Sequence, residues 1–228
     1  MCNKSGIIFV AKSFSKEDVK GKKVIEVGSY DVNGSVRSLI EFYKPAKYIG
    51  VDIENGPGVD IVCNAEDLLE KFGKESFDIV ISTELLEHVR DWRKVISNFK
   101  NICSPGGIIL ITTRSHGFGY HAYPHDFWRF EVEDMDEIFS DYKMLSLEKD
   151  CSDPGVFVKL KKPNEFKEKE LANHKLYSIV SDKRVIEIDP KDFRTFYFMK
   201  VIFNEKLKDI ARALDKMVFK AGSCRVKD

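Results

Sequence analysis

A glycine loop and two carboxylates near the N-terminus could hold the sugar of a nucleoside. Residues 24–34 read VIEVGSYDVNG, so that the acid Glu26 and then Gly28 come at the end of an apolar run. A second apolar run, YIGVDI, brings in the acid Asp52. A carboxylate at the end of a second strand accepts hydrogen bonds from ribose hydroxyls, and a glycine lets the backbone approach a ligand closely. The segment predicts a strand–loop–helix–strand unit that binds a nucleoside cofactor.

The residues after Gly28 argue against a dinucleotide. A pyrophosphate-binding turn needs the pattern G-x-G-x-x-G, which brings bare backbone to the phosphates. Here Ser29, Tyr30 and Asp31 follow, so an aromatic ring and a negative charge oppose a phosphate. A cofactor with a ribose and no phosphate fits better, and S-adenosylmethionine is the predicted one. The alternative is a tight turn without a ligand, because a lone glycine motif is a weak signal.

Five segments in order carry a resemblance to a known family. They read EVGSYDVNGSVR, YIGVDIENGPGVD, CNAEDL, FDIVISTELLEHV and SPGGIILITTR, within about residues 20–160. The series resembles the class I, seven-strand S-adenosylmethionine-dependent methyltransferases, and within them the methyltransferase type 11 group. The resemblance implies an α/β Rossmann-like sheet of seven mostly parallel strands, with an antiparallel strand near the C-terminal end. GSYDVNGSVR with the later PHDFWRF resembles a subset associated with methylation of sugars, polysaccharides or other small molecules.

The resemblance also implies which residues bind the cofactor. Glu26 would face the methionine ammonium, Asp52 the ribose and Ile53 the adenine. Asn64 stands where many relatives have aspartate, and its amide can still accept a hydrogen bond from the adenine amino group. The cofactor-binding residues implied are Glu26, Gly28, Ser29, Tyr30, Asp52, Ile53, Asn64, Ala65, Glu66, Thr83 and Glu84. Helix capping or surface salt bridges are the alternative for Glu26 and Asp52.

A loop rich in histidine follows the fifth predicted strand. It reads RSHGFGYHAYPHDFWRF and leaves the sheet on the side of the expected methyl donor. We predict that His125, oriented by Asp126, is the base or positioning group for an acceptor hydroxyl, with His121 as the second choice. The alternative is that Asp126 and Arg129 form a structural ion pair and the aromatic residues anchor the loop.

A metal site in the same loop is a further alternative. It would use His116, His121, His125 and Asp126, a set that suits zinc better than magnesium. Pro124 breaks the helix that would present two of these histidines together, so no metal is predicted. His88, which follows the fourth strand, is expected to be structural.

The composition excludes several classes of protein. The chain has 228 residues, 43% of them hydrophobic, with 37 basic and 37 acidic side chains. Without a basic excess, nucleic acid is not expected as a partner. No stretch approaches the ~18 apolar residues of a membrane span. The cysteines are scattered with no C-x-x-C, which indicates reduced thiols in the cytoplasm.

Apolar runs alternate with helical patterns along the first part of the chain. They predict strands over 23–27, 48–52, 60–63, 77–82, 107–113, 142–149 and 156–161. Helices are predicted over 35–43, 65–72 and 133–139, with one or two helical turns across 84–103. The short turn between the last two strands requires that one of them runs against the parallel set.

The composition changes after residue 162. We predict a methyltransferase domain over 1–162 and an accessory extension over 163–228 with a C-terminal helix at 206–219. The aromatic residues at 193–203 would pack on the domain or on a second subunit, so a homodimer through the extension is one expectation.

Three functions compete. The leading one is an O-methyltransferase for a small molecule or a glycan. An RNA or protein methyltransferase is disfavoured, because enzymes acting on amide or adenine nitrogens carry Asn/Asp-Pro-Pro-aromatic where this chain has Ser82, Thr83, Glu84 and Leu85. The third is a non-catalytic binding protein on the same fold.

Overall fold

A sheet of seven strands forms the centre of the protein. The computed structural model describes residues 3–121 and 125–223. The strands in this sheet are β1 (Lys23–Val27), β2 (Lys47–Asp52), β3 (Ile61–Val62), β4 (Phe77–Thr83), β5 (Cys103–Arg114), β7 (Lys143–Lys149) and β8 (Gly155–Lys161). Their order is β3-β2-β1-β4-β5-β8-β7, and β8 alone in this sheet runs antiparallel to its neighbours. This confirms the predicted seven-strand fold.

The central strands are buried on both faces, which explains their continuous apolar runs. Successive side chains of a strand point to opposite faces. Ile79 and Ile81 of β4 belong to a core cluster with Phe9 near the N-terminus, whereas Val80 belongs to a second cluster with Phe99. Each face is covered by helices. They are α1 (Lys4–Ser13), α2 (Lys16–Val19), α3 (Arg37–Phe42), α4 (Leu68–Phe72), α5 (Trp92–Ile102), α6 (Val132–Ile138) and α7 (Phe196–Ser223).

Three predicted helical segments become α-helical later than expected, and one of them, 35–43, does so only at Arg37. The segment 65–72 starts as a 3-10 turn at Ala65–Asp67 before α4, and its first amide is capped because Asn64 Oδ1 accepts from Glu66 N–H at 3.0 Å. The segment 84–103 starts as a 3-10 turn at Leu86–His88, and α5 begins only after Asp91 caps the Lys94 amide. Both turns leave irregular backbone at the strand ends.

A second, three-stranded sheet was not expected from the sequence. It consists of β6 (Trp128–Arg129), β9 (Leu176–Ser178) and β10 (Lys183–Val185), in the order β10-β9-β6. β6 belongs to the histidine loop, and β9 belongs to the extension, so their antiparallel pairing ties the extension to that loop. The division of the chain between 162 and 163 stays a prediction.

Helix α7 carries several exposed apolar side chains. They are Phe196, Met199, Phe203, Leu207 and Ile210. Nothing covers them among the described residues, and the predicted homodimer stays a prediction. Leu214 and Val218, two apolar residues of the predicted helix 206–219, lie in the part of α7 whose side chains are outside the description. In the described ranges, no helix combines the length and the apolar character that crossing a membrane requires.

Candidate active site

A cavity of about 500 Å³ opens at the carboxyl ends of the parallel strands. It lies where the strand order reverses between β1 and β4, which is where open α/β sheets bind ligands. Its wall contains Gly28 after β1, Asp52 at the end of β2, and Glu84 after β4. The volume falls in the usual range of small-molecule sites, roughly 300–1,000 Å³.

Asp52 is held in place by backbone amides at the cavity wall. Tyr30 N–H donates to Oδ2 at 3.0 Å, and Glu54 N–H donates to Oδ1 at 3.2 Å. Each carboxylate oxygen can accept more than one hydrogen bond, so Asp52 can still accept hydrogen bonds from a ligand. The carboxylate is therefore fixed in orientation before a ribose arrives.

The glycine loop is covered by the next loop of the chain, and that contact requires glycines. A Cβ on Gly56 would lie 2.3 Å from Cε2 of Tyr30, and a Cβ on Gly50 would lie 2.1 Å from the Gly58 carbonyl oxygen. Asp31 N–H donates to the Pro57 carbonyl at 2.8 Å. The ENGPGVD segment thus holds Tyr30 against the cavity, a role that sequence reasoning missed although its glycines signalled a close approach.

Of the two residues expected to oppose a phosphate, only Tyr30 lines the cavity. Asp31 is exposed, and its side chain accepts from Gly34 N–H within its own turn. Helix α3 begins at Arg37, well after Gly28, and its first amide donates to Ser35 Oγ at 3.0 Å. No helix N-terminus of the described chain follows Gly28 directly, so the helical phosphate cradle of dinucleotide folds is missing there.

Glu26 is buried at 2% exposure and lies outside the cavity wall. Its carboxylate accepts a hydrogen bond from the Tyr48 hydroxyl on the neighbouring strand β2. Burial raises the pKa of Glu26 to about 7, and the Tyr48 hydrogen bond opposes only part of that rise. The carboxyl is therefore neutral in mildly acidic solution.

This shift gives a pH-dependent prediction for Glu26→Gln. The pKa of Glu26 in the folded state lies above its unfolded value of about 4.5. The contribution of Glu26 to stability is therefore complete below pH 4.5 and is lost as the pH rises through 7. The amide cannot ionise, so the variant should gain free energy of unfolding relative to the native chain between pH 4.5 and 8, on the order of 3 kcal/mol. Urea unfolding across that range measures the difference. Glu70→Gln, an exposed acid on α4, is the control, and a difference that is constant with pH for Glu26→Gln contradicts the prediction.

Two buried acids that follow β4, Glu84 and Glu87, lie close together. Glu84 has a positive φ of 53°, unusual for a residue with a side chain, and lines the cavity. It pairs with Arg114 and accepts from Thr112 Oγ1 at 3.0 Å. Burial first, and then the nearby charge of Glu87, raise the pKa of Glu84 to about 7, against the effect of Arg114. A positive φ is sparsely populated for a residue with a side chain, so the surrounding contacts must hold Glu84 in this conformation.

Asp126 binds Arg129 and His121. Its two oxygens accept from Nη1 and Nη2 of Arg129 at 2.5 and 2.7 Å, and Oδ2 lies 3.0 Å from Nδ1 of His121. Burial works against ionisation of Asp126, but the bonds from Arg129 and His121 hold its pKa at about 2. Asp126 therefore orients His121, the second choice, and the predicted orientation of His125 by Asp126 is wrong. The reason is that the acid turns inward to the buried guanidinium, which an i,i+3 spacing brings within reach.

His125 nevertheless lines the cavity with an exposed ring. Its carbonyl oxygen lies 2.5 Å from Nδ1 of His88, and His88 lines the same cavity. Burial lowers the pKa of His88. The expectation that His88 is only structural missed this position in the wall.

The expected alternative metal set does not come together. The His116 ring packs edge-on against Tyr177 with centroids 4.5 Å apart, and His125 faces the cavity. Of that set, His121 alone joins a group of metal-binding side chains, together with Glu87 and His88. Pro124, expected to interrupt a helix there, lies outside the described residues.

Most of the predicted cofactor residues line this one cavity. Those in the wall are Gly28, Tyr30, Asp52, Ile53, Asn64, Ala65, Glu66 and Glu84. Glu26, Ser29 and Thr83 are buried beside it without entering the wall. The cofactor role of each stays a prediction. The wall residues that sequence reasoning missed include Leu85, Val89, Arg90, Phe127 and Phe193.

Phe193 shows why some were missed. It belongs to the aromatic stretch expected to pack on the domain, and it packs against Phe127 with ring centroids 6.3 Å apart. The same ring closes the cavity and lies under the Arg90 guanidinium. A packing residue and a wall residue are alike in sequence, so only the fold separates them.

Comparison with known proteins identifies the family. The profile of the family described as "methyltransferase domain" matches residues 9–156, so the chain belongs to that family, as the five segments predicted. The ubiquinone biosynthesis O-methyltransferase of Pseudomonas syringae pv. tomato is 31% identical over 112 residues, which are 43% of this chain and 47% of that protein. The chain spans less than half the length of the curated relatives it matches.

Solved structures share the fold at low sequence identity. The S-adenosylmethionine-dependent methyltransferase from Mesorhizobium loti superposes with a TM-score of 0.51 at 15% identity, covering 67% of this chain and 96% of that one. The [4+2]-cyclase SpnF superposes with a TM-score of 0.55 at 13% identity, covering 70% and 80%. At these identities the likeness concerns the fold.

Proposed function

We propose that this member of the methyltransferase-domain family is an S-adenosylmethionine-dependent enzyme that methylates an oxygen of a small molecule, a sugar or a glycan. The observation that carries the proposal is a single cavity whose wall combines Asp52 and Gly28 with His125. The first two are suited to an adenosine, and the last to an acceptor hydroxyl. The matching O-methyltransferase from Pseudomonas supports oxygen as the acceptor atom.

The cofactor would lie across the carboxyl ends of β1, β2 and β3. The fixed carboxylate of Asp52 would accept from the ribose hydroxyls, and such charge-assisted bonds are strong. Ile53 is 60% exposed at the cavity and would cover one face of the adenine. Asn64 and Ala65 follow β3 and would meet the adenine edge.

The acceptor would enter from the side of β4 and β5. Arg90, Phe127 and Phe193 form that side of the wall and offer a cation and two aromatic rings. A larger cavity of about 860 Å³ adjoins this one, since Arg90 and Glu66 belong to both walls. An elongated acceptor such as a glycan could extend into it.

The reaction is an in-line displacement at the methyl carbon. A lone pair of the acceptor oxygen forms the new C–O bond while the S–C bond breaks, and its electron pair stays on sulfur as S-adenosylhomocysteine leaves. The acceptor hydroxyl gives up its proton to His125, whose exposed imidazole lies in the wall. The remaining contribution of the protein is alignment and exclusion of water.

The Asp52→Ala variant tests the cofactor. Loss of a charged hydrogen-bond acceptor should raise the Kd for S-adenosylhomocysteine about 10- to 100-fold. Isothermal titration calorimetry measures this Kd. Asp31→Asn is the control, because Asp31 is an acid of the glycine loop that lies outside the wall. Equal affinity in Asp52→Ala and the native chain, or stronger thermal stabilisation by NAD, overturns the cofactor assignment.

The acceptor is tested by release of S-adenosylhomocysteine from a panel. Phenols, free sugars, nucleotide sugars and glycans represent the proposal. A tRNA and a protein substrate represent the alternatives. Activity with these substrates alone overturns the proposal of oxygen methylation of small molecules. Cofactor binding with no turnover in any arm favours a non-catalytic protein, or another chemistry on this fold, as in SpnF.

A cytoplasmic location is part of the proposal. Cys63, Cys103 and Cys151 carry free thiols, which supports a reducing compartment.

A further inference from the structure

Three metal-binding side chains meet beside the cavity, and the proposed methyl transfer uses none of them. Glu87, His88 and His121 each offer a ligand atom within 4.8 Å of the other two. Oε1 of Glu87 lies 3.9 Å from Nε2 of His88 and 3.9 Å from Nε2 of His121. Around tetrahedral zinc, bonds of about 2.0–2.2 Å place ligand atoms roughly 3.3–3.6 Å apart, so small side-chain shifts would complete the site.

Two of the three ligand atoms are buried and lack other partners. The Glu87 side chain is fully buried, and its Oε2 accepts from Thr113 Oγ1 at 2.8 Å. Its Oε1 and the Nε2 of His88 have no hydrogen-bond partner in the described ranges 3–121 and 125–223. An unpartnered buried polar atom costs about 1–3 kcal/mol. A cation bound between these atoms would remove that cost.

The His88 imidazole is held in the form that binds metals. Nδ1 of His88 lies 2.5 Å from the His125 carbonyl oxygen, which can only accept, so Nδ1 carries the hydrogen. Nδ1 of His121 lies 3.0 Å from Oδ2 of Asp126, and the backbone amide of His121 donates to the same oxygen at 2.9 Å. In His88, Nε2 holds the lone pair and lies 3.9 Å from Oε1 of Glu87. Metal-bound histidines usually donate their other N–H to a carboxylate or a carbonyl in this way.

The charge around the cluster also favours a cation. The buried charged groups joined to it are the carboxylates of Glu84, Glu87, Asp126 and Asp150 and the guanidiniums of Arg114 and Arg129. Four buried carboxyl groups therefore face two guanidiniums around the cluster, an arrangement that attracts a cation.

We propose that Glu87, His88 and His121 bind one divalent transition-metal ion, and that the ion is zinc. Two imidazoles and one carboxylate match its preferences, and three protein ligands leave a fourth position open. His88 also lines the cavity, so this open position lies next to the acceptor side of the wall. The site rests on these contacts alone, whatever the acceptor proves to be.

The test is metal binding by the full chain after chelator treatment. Zn²⁺ is titrated in competition with a chromophoric chelator, and Co²⁺ serves as a spectroscopic probe of coordination. One ion per chain is expected. Glu87→Gln and His121→Ala should each weaken Zn²⁺ binding by more than about 100-fold, because loss of a direct ligand exceeds the usual 10- to 100-fold effect of outer partners. His116→Ala, in the same loop with its ring on Tyr177, is the matched control and should bind like the native chain.

Binding of S-adenosylhomocysteine is measured on every variant as a check of the fold. If Glu87→Gln does not fold, His121→Ala decides, since the His121 ring is 31% exposed and its removal leaves the core intact. No Zn²⁺ binding by the native chain, or equal binding by the folded variants, overturns the inference. So does a preference for Mg²⁺ over Zn²⁺. Zinc binding without cofactor binding would refute only the proposed function. Cofactor binding without zinc binding would refute only the metal site.

Discussion

The His125→Ala variant is expected to methylate its acceptor about 10²- to 10⁴-fold more slowly than the native chain. His125 has an exposed ring in the wall of the cavity, on the side of the proposed acceptor. Its loss removes the group that takes or positions the acceptor proton. Its affinity for S-adenosylhomocysteine should hardly change, because the adenosine side of the wall is built from other strands. Turnover and cofactor affinity are measured together, with the acceptor that the panel identifies.

The comparison with His116→Ala separates a chemical role from a structural one. His116 lies in the same loop and packs on β9, so its removal tests the loop without the cavity. Native turnover in His125→Ala would show that the ring has no part in the reaction. If cofactor affinity falls together with turnover, His125 supports the cofactor site and the base must be sought elsewhere.

The Asp126→Ala variant is expected to lose about 3–5 kcal/mol of unfolding free energy. Asp126 and Arg129 are each 1% exposed, so removal of the carboxylate leaves a buried guanidinium without its anion. Arg129 also donates to the Phe118 and Gly119 carbonyls. These bonds hold the first half of the histidine loop to β6. Urea unfolding measures the loss.

Two further variants show whether the loss comes from the unpaired charge. Asp136→Ala removes an exposed acid on α6 and should change stability by less than about 0.5 kcal/mol. The double change Asp126→Leu with Arg129→Met removes both charges and should cost less than Asp126→Ala alone. A double variant that is less stable than the single one contradicts this account of the ion pair.

Local patterns in the chain were sufficient for the seven-strand sheet but not for the three-stranded one. The strands β1, β2, β4, β5 and β8 are mostly apolar runs with clear ends, and the short turn between β7 and β8 required that one of them runs against the parallel set. The acid Asp52 could be placed at the cavity because the ends of parallel strands share one edge of the sheet. Such inferences need only neighbours in sequence and the general geometry of α/β sheets.

The histidine loop shows what local patterns could not provide. Asp126 is adjacent to His125 in sequence, yet it faces Arg129 and His121, because a buried guanidinium needs a carboxylate more than an exposed imidazole does. The pairing of β6 with β9 that fixes this loop joins segments far apart in the chain, and neither strand is long enough to be recognised alone.

The proposed metal site and the acceptor side of the cavity also depend on contacts between segments that are far apart in the chain. Glu87 and His88 lie on a short turn after β4, while His121 comes from the loop after β5, so their meeting depends on the strand order and on the Asp126 contact. Phe193 reaches the cavity from the extension only because that segment packs back on the domain. Sequence spacing is enough to predict the cofactor side of the cavity, because its residues follow neighbouring strands. The acceptor side combines segments that only tertiary packing brings together.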